Sequence, residues 1–72
     1  MEYIIVGDTE SFNDCLIKVL LGHNLEQAQN ALHRFLTKPT EDEKRDIKKY
    51  KNIRIKETES GVCWWHDSFL AN

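Results

Sequence analysis

Cys15-Leu16-Ile17-Lys18-Val19-Leu20-Leu21 is an apolar run that fits two different folds. As a strand it sets Cys15, Ile17, Val19 and Leu21 on one face and Leu16, Lys18 and Leu20 on the other. As a helix, capped by Ser11 and stopped by Gly22, it gathers Phe12, Cys15, Leu16, Val19 and Leu20 into one stripe. Period alone does not separate the two in so short a run, and the helix stays open as an alternative. We favour the strand. Glu10-Ser11-Phe12-Asn13 then connects it as a hairpin to a first strand, Tyr3-Ile4-Ile5-Val6, which is β-branched and closed by Gly7-Asp8.

Downstream the signals are clearer. Asn24 with Gln27 has the spacing of a capping box. Leu25, Ala28, Leu32, Phe35 and Leu36 follow at helical intervals, with Ala31 beside them, which predicts an amphipathic helix from Leu25 to Leu36. Pro39 ends it, because the residue before proline disfavours helix. Thr40 with Glu43 is a second capping box. Glu41, Asp42 and Glu43 lie at the positive end of the new helix dipole, and Lys48, Lys49 and Lys51 at the negative end. Only Ile47 and Tyr50 can face a core, so this helix is short and peripheral. Asn52-Ile53-Arg54-Ile55-Lys56 then alternates with period two. A turn at Glu59-Ser60-Gly61 leads to a partner strand, Val62-Cys63-Trp64-Trp65-His66.

The order is strand, strand, helix, helix, strand, strand. The expected fold is α+β: an antiparallel four-stranded sheet with both helices packed on one face. With 72 residues the chain is one domain, 1–72, with 67–72 expected to fray. Its hydrophobic fraction of 40% supplies one small core. No apolar run approaches the roughly 20 residues that span a bilayer. Met1-Glu2-Tyr3-Ile4-Ile5 has no basic n-region, so no signal peptide is expected. Two cysteines are too few for a disulfide-dense secreted scaffold, and a cytoplasmic setting is the expectation.

The combination of Cys15-Leu16-Ile17, Gly22, the 25–36 helix, Pro39-Thr40, Asn52-x-Arg54-Ile55 and Trp64-Trp65 resembles a family of very small proteins. These are encoded by phages and other mobile elements of Gram-positive bacteria. The resemblance covers nearly the whole chain and rests on structural signatures. It implies a cytoplasmic setting and a regulatory or accessory role, and carries no functional residues with it.

Charge is unevenly placed. The net charge is −2, yet residues 44–56 hold seven of the ten basic residues, Lys44, Arg45, Lys48, Lys49, Lys51, Arg54 and Lys56, with Asp46 the one acid among them. Such asymmetry is the electrostatic footprint of a phosphate-binding surface. It is equally the pattern of a solvated helix face that complements its own dipole.

The sheet raises a second possibility. If Lys18 points away from the helices, Leu16 and Leu20 point away with it. Trp64 and Trp65 are adjacent, so a regular strand sends one into the core and the other to the open face. That face then carries Leu16, Leu20, one of Trp64 and Trp65, Arg54, Lys56 and Lys18. Exposed tryptophan, arginine and leucine have the composition of a protein-binding surface. Coverage of this face by Phe69 and Leu70, or a β-bulge that buries both tryptophans on one side, is the structural alternative.

Catalytic and metal chemistry find little support. Cys63 and His66 have C-x-x-H spacing, with Cys15 and His23 as further zinc donors, but positions three apart on a strand face opposite ways. A Cys15–Cys63 disulfide requires neighbouring strands and an oxidising compartment. Cys63 or Cys15 with His66 or His23 forms no recognisable catalytic motif, and no phosphate-binding glycine loop occurs. The expectation is therefore a non-enzymatic protein without cofactor or metal. It binds a protein partner, or itself, through Leu16, Leu20, Arg54, Lys56, Trp64 and Trp65. The alternative is nucleic-acid binding through the basic 44–56 segment.

Overall fold

The structure, a computed structural model, describes residues 2–66. The elements are β1 (Tyr3–Asp8), β2 (Cys15–Leu20), α1 (Leu25–Thr37), α2 (Glu41–Lys49), β3 (Lys51–Glu57) and β4 (Cys63–Trp65). The strands form one antiparallel sheet in the order β2-β1-β3-β4. The chain is thus α+β, and the run at Cys15 is a strand. The fraying expected of 67–72, and the covering role considered for Phe69 and Leu70, lie outside the described residues.

Both helices start where their side chains offer acceptors for otherwise unpaired amides. Asn24 accepts from the Gln27 amide at 2.8 Å while Gln27 accepts from the Asn24 amide at 2.9 Å. Thr40 and Glu43 repeat the exchange at 3.3 and 2.9 Å. Each cap contributes about 1 kcal/mol.

Tyr3, Ile5, Leu20, Ala28, Leu32, Phe35 and Ile55 form the core, and Ile17, Leu25, Ala31, Leu36, Ile47, Ile53 and Trp64 pack against it. Full burial of each large apolar side chain stabilises the fold by about 1.5–3 kcal/mol. Trp64 meets Tyr3 edge to face, with ring centres 5.8 Å apart. Of the three glycines, Gly7 is the one closely approached by other atoms. A Cβ there would stand 2.7 Å from Tyr50 Cβ and 3.0 Å from Ile17 Cδ1, so only glycine lets the Tyr50 side chain lie against β1.

Two irregularities set which way side chains point. In β2, Lys18 pairs with Ile5 but Leu16 with Val6, which makes Ile17 the extra residue of a bulge. In β3, Arg54 pairs with Val6 but Lys51 with Asp8, and Asn52 takes a left-handed conformation with φ 55°. A bulge shifts the alternation of everything beyond it. This corrects the expected placement of Lys18 and Leu20. Leu20 is a core residue, and Lys18 turns to Glu43 on α2, 3.2 Å away.

Candidate protein-interaction surface

The register sets two rows of side chains across the sheet on the face that carries Arg54. The first runs Leu16, Val6, Arg54, Trp65, and the second Val19, Ile4, Lys56, Cys63. The centre of the first row is closed: Val6 is 0% and Arg54 7% exposed. Its ends are open, with Leu16 57% and Trp65 46% exposed, and Val19 is open at the end of the second. The face is therefore an ion-paired centre flanked by apolar side chains.

Arg54 is buried because its charge is met on every side. One guanidinium nitrogen donates to Asp8 Oδ1 at 3.1 Å and to Asp14 Oδ1, and the other donates to the Asn52 carbonyl at 2.6 Å. Its carbon sits 5.4 Å from the centre of the Trp65 ring, a cation–π contact. Lys56 Nζ completes the cluster at 3.2 Å from Asp14 Oδ2. Burial by itself pulls the Arg54 guanidinium down, but the bonds to Asp8 and Cys63 and the charges of Asp8 and Asp14 outweigh it, and the net shift is upward.

The carboxylates are held ionised. The Asp14 amide, 3.0 Å from Asp8 Oδ1, is the main cause that lowers Asp8, with Asn52 and Arg54 adding to it. Lys56 is the main cause that lowers Asp14, followed by Arg54. Asp14 holds φ 56°, a left-handed conformation that aspartate tolerates and that turns its amide onto Asp8. Two acids and two bases thus cancel on this face.

Several expected site residues belong elsewhere. Leu20 and Trp64 lie in or against the core, so neither presents a free side chain to a partner. Leu16, Trp65, Arg54 and Lys56 do share one face, with Arg54 buried within it. Val6, Val19, Asp8 and Asp14 were not foreseen there. The alternation of β1 pointed to Val6, but only the bulge at Ile17 brings Val19 to this side.

The basic segment does not form one free patch. Lys44 pairs with Glu41 at 3.2 Å and Arg45 with Asp42 at 3.7 Å, while Arg54 and Lys56 belong to the aspartate cluster. Lys49 lies 5.3 Å from the Tyr50 ring centre. Lys48 and Lys51 are exposed. Helix α2 carries four acids and four bases, so its own charge is zero.

A second ionic cluster joins the other elements. Glu43 Oε2 accepts from Arg34 at 2.6 Å and from Lys18 at 3.2 Å, tying α2 to α1 and β2. The Arg34 bond, then the Thr40 amide, hold this carboxyl down at about 2.

Cys15 and Cys63 are free thiols on strands at opposite edges of the sheet, which removes the condition for a disulfide between them. Cys63 Sγ lies 3.7 Å from the Gly61 carbonyl, and His66 meets His33 on α1. Among the described residues no group of three or more His, Cys, Asp or Glu side chains is arranged to hold a metal ion. No helix among them is long and apolar enough to cross a membrane.

Compared with family models, with curated proteins and with solved structures, the chain matches none.

Proposed function

We propose that this chain is a small non-enzymatic interaction domain that binds a protein surface, a partner's or a second copy's, through the Arg54 face of its sheet. Both helices pack on the opposite face in this reading, since α1 and α2 each contribute to the one core. The observation that carries it is the exposure of Leu16, Val19 and Trp65 around a charge cluster that is already neutral. A partner covering this face desolvates apolar side chains and an aromatic–arginine pair without stranding a charge. Interface centres have that composition. A regulatory or accessory role in a cytoplasmic setting fits the resemblance to small phage-encoded proteins.

The same charges argue against a polyanion as ligand. Phosphate binding requires cations free to replace counterions. Four of the seven basic residues in 44–56, namely Lys44, Arg45, Arg54 and Lys56, already face carboxylates.

The test is Trp65→Ser. Association is followed by sedimentation for the chain alone and by retention on the tagged chain for a second protein. Both the affinity and the fold are read. Affinity falls at least roughly tenfold, as for an aromatic anchor, with an unchanged circular dichroism spectrum. Unchanged association in Trp65→Ser overturns the reading.

A further inference from the structure

Phe12 is the most exposed large apolar side chain among the described residues, at 70%. The loop that carries it is nonetheless tied down. The Thr9 amide donates to the Phe12 carbonyl at 2.8 Å. Thr9 Oγ1 accepts from the Ser11 amide at 3.3 Å and from the Phe12 amide at 3.0 Å. The Asp14 amide closes the loop onto Asp8 Oδ1 at 3.0 Å. The backbone is thus fixed at Phe12 while its ring stands in water. A side chain held in place before binding lowers the ordering cost of a contact.

The same chain has a largely apolar groove of about 380 Å³, lined in part by Leu36, Ile47, Tyr50 and Ile53. Asp8, the last residue of β1, pairs with Lys51, the first of β3. Phe12 follows the end of β1, and Tyr50 and Ile53 flank the start of β3. Ring and groove therefore lie at one end of the sheet, yet Phe12 does not line the groove of its own chain.

Charge decides what fits there. Glu10, two residues before Phe12, is exposed. Lys49 Nζ lies 5.3 Å from the centre of the Tyr50 ring, and Lys51, just after Tyr50, is exposed. None of the three makes an ion pair among the described residues. The one acid in 44–56 is Asp46, so the surroundings of the groove are basic. An acid beside the ring thus complements lysines beside the groove. The chain carries both halves of one contact. Because both lie at one end, a two-fold axis there lets each copy give a ring and receive one. Such a pairing is isologous and closes at two copies.

We propose that the Phe12 loop seats in the groove of a second copy, with its Glu10 facing that copy's Lys49 and Lys51. The contact does not depend on the Arg54 face, to which neither Phe12 nor Ile47 belongs. Trp65 borders both, so the test leaves it unchanged.

Sedimentation of the chain alone, from about 1 μM to about 1 mM, tests it. The unaltered chain forms a dimer within that range. Phe12→Ser weakens the dimer at least roughly tenfold, as loss of an aromatic anchor does, with an unchanged circular dichroism spectrum. Glu10→Lys weakens it roughly fivefold by setting like charges together, and so does the pair Lys49→Glu, Lys51→Glu. Mixing those two variants restores the dimer, because each loop then meets a groove of opposite charge. A monomer throughout the range overturns the proposal and leaves the groove to another protein or another segment of the chain. A dimer that Phe12→Ser does not weaken, or charge variants that do not recover on mixing, overturns it as well.

Discussion

The Arg54 guanidinium lies over the Trp65 ring at 5.4 Å while it donates to Asp8 and Asp14, so one buried cation joins the β1–β2 hairpin to the last strand. Asp8 ends β1, Asp14 precedes β2, Arg54 is in β3 and Trp65 ends β4. The candidate surface therefore takes its shape from an ion cluster rather than from apolar packing alone.

Arg54→Met removes the cation and leaves two carboxylates facing each other. Breaking one side of a buried ion pair typically costs about 3–5 kcal/mol, so Arg54→Met should be strongly destabilised. The triple change Arg54→Met, Asp8→Asn, Asp14→Asn should regain a substantial part of that loss. Urea denaturation of the two variants checks this. A single variant as stable as the unaltered chain would show that the cluster contributes nothing.

Glu43 sets the acid sensitivity. Its carboxyl is held down at about 2 by Arg34, the Thr40 amide and Lys18, against an ordinary value near 4.5. The folded state thus binds its proton later than the unfolded chain. The resulting stabilisation is complete above about pH 5 and drains away as pH falls toward 2. Glu43→Gln should be destabilised by about 1–2 kcal/mol at neutral pH, solvent screening included. It should also lose less stability than the unaltered chain between pH 5 and pH 2 in parallel denaturation curves.

Gly7→Ala tests the close approach of Tyr50 to β1. The added methyl lands 2.7 Å from Tyr50 Cβ, an atom fixed to the backbone. Overpacking of this kind costs about 1–3 kcal/mol, read as a lowered melting temperature. A paired Tyr50→Gly change should relieve most of the clash. Unchanged stability in Gly7→Ala alone would mean that β1 and Tyr50 separate freely.

The adjacent tryptophans should behave differently. Trp64→Ser removes a ring packed on Tyr3 and the core and should cost about 3 kcal/mol or more. Trp65→Ser removes a half-exposed ring that lies against Arg54 and should cost about 1 kcal/mol. Equal losses in thermal denaturation would contradict the placement of the two rings on opposite faces.

Much of this fold was legible because its signals are local. The capping boxes at Asn24 and Thr40 fixed both helix starts, and the alternation of Ile53 and Ile55 with Arg54 and Lys56 marked β3. The opposition of Trp64 and Trp65 followed from strand geometry alone. The bulge at Ile17 was not legible, because an extra residue in a strand leaves no mark in an apolar run. It moved Leu20 into the core and Lys18 onto Glu43. The aspartate cluster escaped for a related reason. Asp8 reads only as the close of the first strand, Asp14 carries no signal of its own, and their meeting with Arg54 depends on β1 pairing with β3, a long-range choice made by the whole sheet. Charge counted along 44–56 leaves out the acids that pair with it, Glu41 and Asp42 just upstream on α2 and Asp8 and Asp14 from the β1–β2 hairpin.

A nucleic-acid ligand makes an opposite prediction that is quickly checked. Titration into labelled single- and double-stranded oligonucleotides at roughly 50 and 200 mM salt should show no binding that weakens steeply with salt. A steep loss of affinity between the two conditions would restore Lys44, Arg45, Lys48, Lys49 and Lys51 as a functional surface.

Photo-crosslinking tests the central claim most directly. A photoreactive amino acid is placed at Leu16 or Val19 on the Arg54 face, and at Glu26 or Lys48 as exposed controls, in cells that make the chain. The account predicts a discrete protein adduct, with another protein or with a second copy, from positions 16 and 19, and its loss when Trp65→Ser is added. No adduct from either position, or the same adducts from Glu26 and Lys48, would contradict a protein-binding face centred on Arg54.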